Sequence, residues 1–237
     1  MRICFIVARN SSDSKLKPLL KFKETNQTVI QTICNNVIKS KLIDEIIVIT
    51  DNDNVKNHVS SFIKKCMVYP DLPSDNLECI YLFLKKYASL SFNYDTIINI
   101  DIDEIYLNTD KINLCIQNYI SKSASDKLIK CSTLHSNLDD DDSLPVVLNN
   151  KSIIKLLLDK NNNIMFATRN QKPFDSNGNS NYFHHIGILV IDKNYLLNEL
   201  YNGVSNYQQE ENIKWLKILE NSYRISSVLL ENHMSMC

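Results

Sequence analysis

Apolar residues in the first 135 positions fall into two alternating patterns: short continuous runs, and longer stretches with helical spacing. Ile3 to Ala8 is the first run. Thr25 to Leu42 follows, with Val29, Ile30, Ile33, Val37 and Ile38 on one helical face, and Glu45 to Thr50 (EIIVIT) makes a second β-branched run. Val55, Val59, Phe62 and Ile63 mark a helix before CMVY at 66–69, and Leu77, Ile80, Tyr81 and Leu84 mark another before TIINI at 96–100. Ile112, Ile116, Tyr119 and Ile120 continue the series into a run near Leu128 to Leu134. Runs of this kind separated by helices predict βαβ units, and hence an α/β fold of three layers, α/β/α and Rossmann-like, around a mostly parallel sheet.

Beyond His135 the pattern changes. LDDDDSLP interrupts it, and SIIKLLLD, IMFATR and FHHIGILVID follow as three β-like stretches joined by Asn-rich turns, which predicts a β-hairpin lobe inserted over 145–192. Helical spacing returns from Tyr207 to Leu219, where Ile213, Trp215, Leu216 and Leu219 form a buried stripe, and a last strand is expected near Ile225 to Leu230. No internal repeat or low-complexity linker divides the chain, so residues 1–237 read as one domain.

Composition narrows the function. A hydrophobic content of 44% with 22% charge is that of a globular protein, and a net charge of -1 provides no basic field for a phosphate backbone, which argues against nucleic acid as a partner. No apolar run reaches the roughly 20 residues of a membrane span, and MRICFIVARN lacks the apolar length and cleavage site of a signal peptide, so no membrane partner and a cytoplasmic location are expected. The seven cysteines are scattered and none stands in a C-x-x-C pair, which favours reduced, buried thiols. With only three glycines, Asn, Asp and Ser are expected to carry the turns.

In an open parallel sheet, ligands bind beyond the carboxyl ends of the strands. After the first strand comes Arg9-Asn10-Ser11-Ser12-Asp13-Ser14-Lys15-Leu16-Lys17, after the second Thr50-Asp51, and after TIINI Asp101-Ile102-Asp103-Glu104. Cations and hydroxyls in the first loop suit a triphosphate, although spacing alone leaves a plain solvated loop equally open. Neither G-x-x-x-x-G-K-[ST] nor G-x-G-x-x-G is present, which argues against P-loop hydrolases and dinucleotide enzymes. Asp101 and Asp103 share a face by strand period, and a charge fixed at a strand end calls for a cation or donors, so one of them can hold Mg²⁺ against phosphate oxygens. Asp139 to Asp142 reads as a solvated acid run, and of His184 and His185 at most one can face a site.

Taken together these segments resemble the CMP-KDO synthetases, the 3-deoxy-manno-octulosonate cytidylyltransferases, over almost the whole chain. IVARNSSDSKLKPL resembles the family's phosphate loop, DEIIVITDNDNV its second strand, and Ser74 to Asn76 its S-G-T turn at the cytosine end. IINIDIDEI is similar to V-N-V-Q-G-D-E-P, IIKLLLD and MFATRNQKPF to V-K-V-V-L-D and F-S-R-x-x-I-P, and FHHIGILVI to R-H-L-G-I-Y. The resemblance implies a nucleotide-diphospho-sugar-transferase-like fold and transfer of CMP from CTP to an acid sugar such as KDO, an eight-carbon sugar acid, with release of pyrophosphate. It implies nucleotide contacts from Ala8, Arg9, Ser12, Lys15, Lys17, Ser74, Asn76 and Asp101, and catalytic roles for Arg9, Lys17 and Asp103. It further implies Mg²⁺ on Asp103, acid-sugar contacts from Arg169, His185 and Glu211, and a homodimer paired through Lys151 to Asp192. Four positions depart from the family pattern. Lys214 and Trp215 stand where its late helix has Glu and Gln, Ile102 replaces a glycine, and a late D-T-P aspartate has no counterpart in ENHMSMC. Two other readings stay open: a cytidylyltransferase of the spore-coat polysaccharide type, which KSKLIDEIIVIT and SDNLECIY resemble, and a nucleotide-binding homologue without turnover.

Overall fold

β1 (Arg2–Ala8) is buried along all but its first residue, and its alternate side chains feed two separate cores. Cys4, Ile6 and Ala8 point to one face of the sheet, Ile3, Phe5 and Val7 to the other, as a strand period of two requires. The computed structural model describes residues 1–9, 18–69, 72–87, 93–138, 150–170, 182–203 and 205–231. On the first face lie α1 (Val29–Ile38), α2 (Asp53–Val59) and α4 (Thr109–Ser125); on the second lie α3 (Asn76–Lys86) and the helical turns after Asp192. Phe5 of β1 meets Phe83 of α3 edge-to-face, with ring centroids 5.6 Å apart. The expected three-layer α/β/α arrangement is therefore observed.

Each of these helices starts at a side-chain cap. Thr28, Asn52, Asp75 and Asn108 stand before α1, α2, α3 and α4, and each accepts a backbone N–H of the first turn. This is why α1 is shorter than the expected Thr25 to Leu42: the preceding segment turns at Asn26, at φ 55°, and the helix begins only after the Thr28 cap. The shortage of glycine is met as expected, because Asn26, Asn162, Asn212 and Ser222 take positive φ along with Gly203.

β2 (Glu45–Thr50), β3 (Cys66–Val68) and β4 (Thr96–Ile100) join β1 in parallel, in the order β3-β2-β1-β4. The sheet continues through β8 (Phe183–Asp192), β5 (Ile129–Asn137) and β9 (Arg224–Leu229). β8 runs antiparallel to both β4 and β5, whereas β5 and β9 are parallel. The expected lobe thus divides. β6 (Lys155–Leu158) and β7 (Ile164–Thr168) form a hairpin attached to β8 at Lys155↔His184 and Leu156↔Phe183, but β8 itself is a central strand, because its eight inner residues are buried on both faces. Residues 145–149 of the lobe and the acid run Asp139 to Asp142 lie outside the described residues.

The expected helix from Tyr207 to Leu219 is also interrupted. Asn206–Glu211 is helical, Asn212 turns left-handed at φ 51°, and the chain restarts as a 3₁₀ turn, Lys214–Leu216, before Lys217–Glu220. Asn at that cap position tolerates the left-handed conformation that other side chains resist. Among the described residues no helix is long and apolar enough to cross a membrane.

Candidate active site

The strand order reverses beside β1: β2 and β3 lie on one side, β4 on the other. Helices leave such a switch point in opposite directions, and the gap opens at the carboxyl ends of the strands. A cleft of about 400 Å³ lies there. Arg9 follows β1; Asp101 and Asp103 follow β4; Ser74, Asp75 and Asn76 precede and open α3. The far wall comes from His185 of β8, Ile154 before β6, Arg169 after β7, and Asn212 to Trp215.

The floor is a chain of hydrogen bonds. Arg9 donates from Nε and Nη2 to the Pro73 carbonyl at 3.0 and 2.5 Å, from Nη1 to Asn76 Oδ1 at 2.5 Å, and from Nη2 to Cys79 Sγ at 3.0 Å. Asn76 in turn donates from Nδ2 to Asp101 Oδ1 at 2.7 Å, and Asn99 Nδ2 donates to the same oxygen at 3.1 Å. Burial raises the Asp101 carboxyl to about 6; the charges of Glu104 and Asp103 push the same way, and the two amides oppose them. Gly187 lets β8 approach this point: its N–H donates to Glu104 Oε1 at 2.7 Å, its carbonyl accepts from the Asp101 N–H at 2.8 Å, and a Cβ there would sit 2.7 Å from Asp101 Oδ2.

The donor set at the end of β4 is all oxygen, which suits a hard cation such as Mg²⁺. Among the described residues no three His, Cys, Asp or Glu side chains form a metal cage. That is consistent with Mg²⁺, which usually takes one or two carboxylates and completes its shell with phosphate and water. Asp101 and Asp103 both border the cleft at this point, and Oδ1 of Asp101 accepts from two amides.

At the far wall, Arg169 is half-buried and its guanidinium meets backbone oxygens, donating from Nη1 to Lys151 and Ser152 at 3.2 and 3.4 Å and from Nε to Asn212 at 3.5 Å. Burial lowers its pKa, while the carboxylates of Asp101 and Glu211 act in the opposite direction. His185 lies against Trp215, with ring centroids 5.1 Å apart, and its Nε2 is 3.0 Å from Thr133 Oγ1. The single Thr133 hydroxyl proton goes to the Ile188 carbonyl at 2.6 Å, so His185 donates from Nε2 and keeps Nδ1 as an acceptor. Burial, then the positive potential of His184, Arg169 and His135, holds its pKa near 3, so the ring is neutral at physiological pH.

Of the residues singled out in the sequence, Arg9, Ser74, Asn76, Asp101, Asp103, Arg169 and His185 all border this one cleft. Ala8 lies one step below it, fully buried, with its carbonyl accepting from Thr50 Oγ1. Glu211 stands behind the wall rather than in it: its Oε2 accepts from Thr168 Oγ1 at 2.8 Å and from the Arg169 N–H at 3.0 Å, which fixes the end of β7. Ser12, Lys15 and Lys17 lie outside the described residues. Asn99, Lys214 and Trp215 also line the cleft but were not singled out as site residues. Strand alternation could have found Asn99, two positions before Asp101 on the same face; for Lys214 and Trp215 the signal was their place in the resemblance, where the family's late helix has Glu and Gln.

Comparison with known proteins agrees with this geometry. The 3-deoxy-manno-octulosonate cytidylyltransferase of Fusobacterium nucleatum subsp. nucleatum is 27% identical over 228 residues, covering 95% of this chain and 87% of that protein. The enzyme of the same name from Protochlamydia amoebophila is 27% identical over 219 residues, covering 91% and 80%. A solved structure of CMP:2-keto-3-deoxy-manno-octonic acid synthetase complexed with CTP shares the fold, with a TM-score of 0.80 at 19% identity, over 97% of this chain and 89% of that one. The model of the cytidylyltransferase family matches residues 3–227, the whole sheet and both walls of the cleft except its outermost strand ends, and the chain therefore belongs to that family.

Proposed function

We propose that this protein transfers CMP from CTP to an acid sugar of the KDO type, releasing pyrophosphate. The observation that carries the reading is the union, in one cleft at the switch point, of Arg9 and the carboxylates after β4 with a separate cationic wall at Arg169. The names of the relatives from Fusobacterium and Protochlamydia support the acceptor.

In this mechanism the cytosine end of CTP lies at the α3 N-terminus, against Ser74 and Asn76, and the phosphates run past Arg9 towards the loop that carries Ser12, Lys15 and Lys17. Asp103 would hold Mg²⁺, which when bound neutralises charge on the phosphate oxygens. The guanidinium of Arg169 makes its hydrogen bonds to carbonyls, with the carboxylates of Asp101 and Glu211 acting on it at longer range, and it is the cation placed to meet the sugar's carboxylate. Neutral His185, with Nδ1 as acceptor, orients a sugar hydroxyl. The anomeric hydroxyl then attacks the α-phosphorus in line; the new bond joins sugar oxygen to α-phosphorus, the hydroxyl proton passes to solvent, and the bond from α-phosphorus to the bridging oxygen breaks, so the electron pair leaves with pyrophosphate. Such a step needs positioning and charge stabilisation, with no covalent nucleophile from the protein. We also propose a cytoplasmic enzyme that pairs through the lobe spanning Lys151 to Asp192.

The test is pyrophosphate release from CTP with Mg²⁺, offered KDO and a panel of other acid sugars. Release is expected with KDO or a close analogue, and Asp103→Ala should lower it by at least about a hundredfold. Silence with every sugar would sink the proposal.

A further inference from the structure

We propose that Asn76 is a positioning residue that couples Arg9 and Asp101 across the floor of the cleft, holding them in register through the two ends of one amide. The geometry admits a single orientation. A guanidinium has only donors, so the amide oxygen must face Arg9; an ionised carboxylate has only acceptors, so the amide nitrogen must face Asp101. The observed bonds follow that rule, 2.5 Å on the Arg9 side and 2.7 Å on the Asp101 side. The residues joined are far apart in the chain, 67 positions on one side and 25 on the other, and they end two adjacent strands of the switch point. Turning the amide over would set donor against donor and acceptor against acceptor at once. Movement of Arg9 is thereby tied to the position of Asp101.

Beyond Asp101 the chain ends at Asn99, whose Nδ2 donates to Asp101 while its Oδ1 is buried and has no hydrogen-bond partner among the described residues. That idle oxygen makes the polarity of the whole chain reversible. In Asn76→Asp alone, a second carboxylate would lie against that of Asp101 and repel it, a conflict relieved only where the pair takes up a proton. With Asp101→Asn added, the new carboxylate at position 76 accepts from Arg9 and from the new amide at 101. Asn99 turns over, and its oxygen accepts the second amide hydrogen. Arg9 and positions 76 and 101 are again paired, with donor and acceptor exchanged between 76 and 101, while the Asn99 nitrogen takes the place where its oxygen had no partner among the described residues.

The inference rests on reading the cleft as a cytidylyltransferase site, and the experiment separates the two. Affinity for CTP by calorimetry, and kcat and KM by pyrophosphate release, are measured for wild type, N76D, D101N and N76D/D101N. N76D is expected to weaken CTP binding about tenfold or more, and D101N less than about fivefold, since its oxygen still accepts from both amides. The double variant should return to within about threefold of D101N, while N76L/D101N, which has no polar group to share, should stay as weak as N76L. A merely structural Asn76 gives no such dependence on the partner. Losses that simply multiply in N76D/D101N, or an N76D with wild-type affinity, would overturn the proposal. If N76D does not fold, a folded, CTP-binding double variant is the same rescue and its absence counts against the coupling. A wild type that binds CTP with this rescue pattern, yet turns over no sugar, removes the proposed function and keeps the coupling; turnover without rescue does the reverse, and no CTP binding at all removes both.

Discussion

His185 and His135 show how far burial can set a side chain's chemistry, alone at His135 and with neighbouring charge at His185. Both rings are buried, and desolvation brings them from the ordinary value of 6.5 to about 3 and about 4. His135 makes a 2.6 Å bond from Nδ1 to Ser227 Oγ, well inside the sheet, whereas His185 faces the cleft. Because both folded values are depressed, the unfolded chain binds more protons between pH 6.5 and about 3. The stability these neutral rings contribute is therefore intact above pH 6.5 and is lost as the pH falls through that window. Thermal unfolding midpoints followed from pH 7 to pH 4 should fall steadily, and less steeply in His185→Gln; parallel slopes for the two proteins would contradict the assignment. At this scale the sequence exposed strand-end residues such as Arg9, Asp101 and Asp103, because alternation and position decide them. It could not expose the bonds among Arg9, Asn76 and Asp101, since nothing local to a residue says what lies 67 positions away.

Elements were legible where one rule governed and lost where two competed. Every strand and helix before His135 combined the right period with a cap or a β-branched run, and all appear in the structure, with α1 trimmed by its Thr28 cap. The stretch from Tyr207 onward kept helical spacing but broke, because Asn212 adopts a left-handed conformation and Glu211 is bonded to Thr168 and Arg169 instead of serving a longer helix. That break turns Lys214 and Trp215 into the cleft. Asn212→Val should cost about 1–2 kcal/mol, the penalty for a β-branched side chain in that region, while Asn212→Gly should change stability little. Chemical denaturation distinguishes them, and the acceptor KM should rise in the valine variant alone. Equal stability of the two variants would show that the turn does not depend on the left-handed residue.

Across the whole molecule, the lobe and the order of the sheet are the features with furthest reach. Met165 on β7 is 61% exposed and Leu229 on neighbouring β9 37% exposed, apolar area of the kind that a second copy would cover. Sedimentation should accordingly give twice the 27.4 kDa chain mass, and Met165→Glu should shift the mass towards that of one chain; a single-chain mass for the wild type would refute the pairing. The fold class followed from the sequence because alternating strands and helices admit few arrangements, but FHHIGILVID read as part of the lobe, since periodicity reports that a strand is buried and not which neighbours bury it. β8 in fact lies between β4 and β5, two strands that precede it by dozens of residues. On the ribosome, everything from β1 to β5 emerges while the slot between β4 and β5 is still empty, with two bare strand edges facing each other. Pairing β8 with both neighbours is a long-range closure of the kind that slows folding. Since β8 brings Gly187 against Asp101 and His185 into the wall, a nascent or truncated chain that lacks it lacks both contacts, and the cleft is complete only once Asn212 to Trp215, further along the chain, have docked as well.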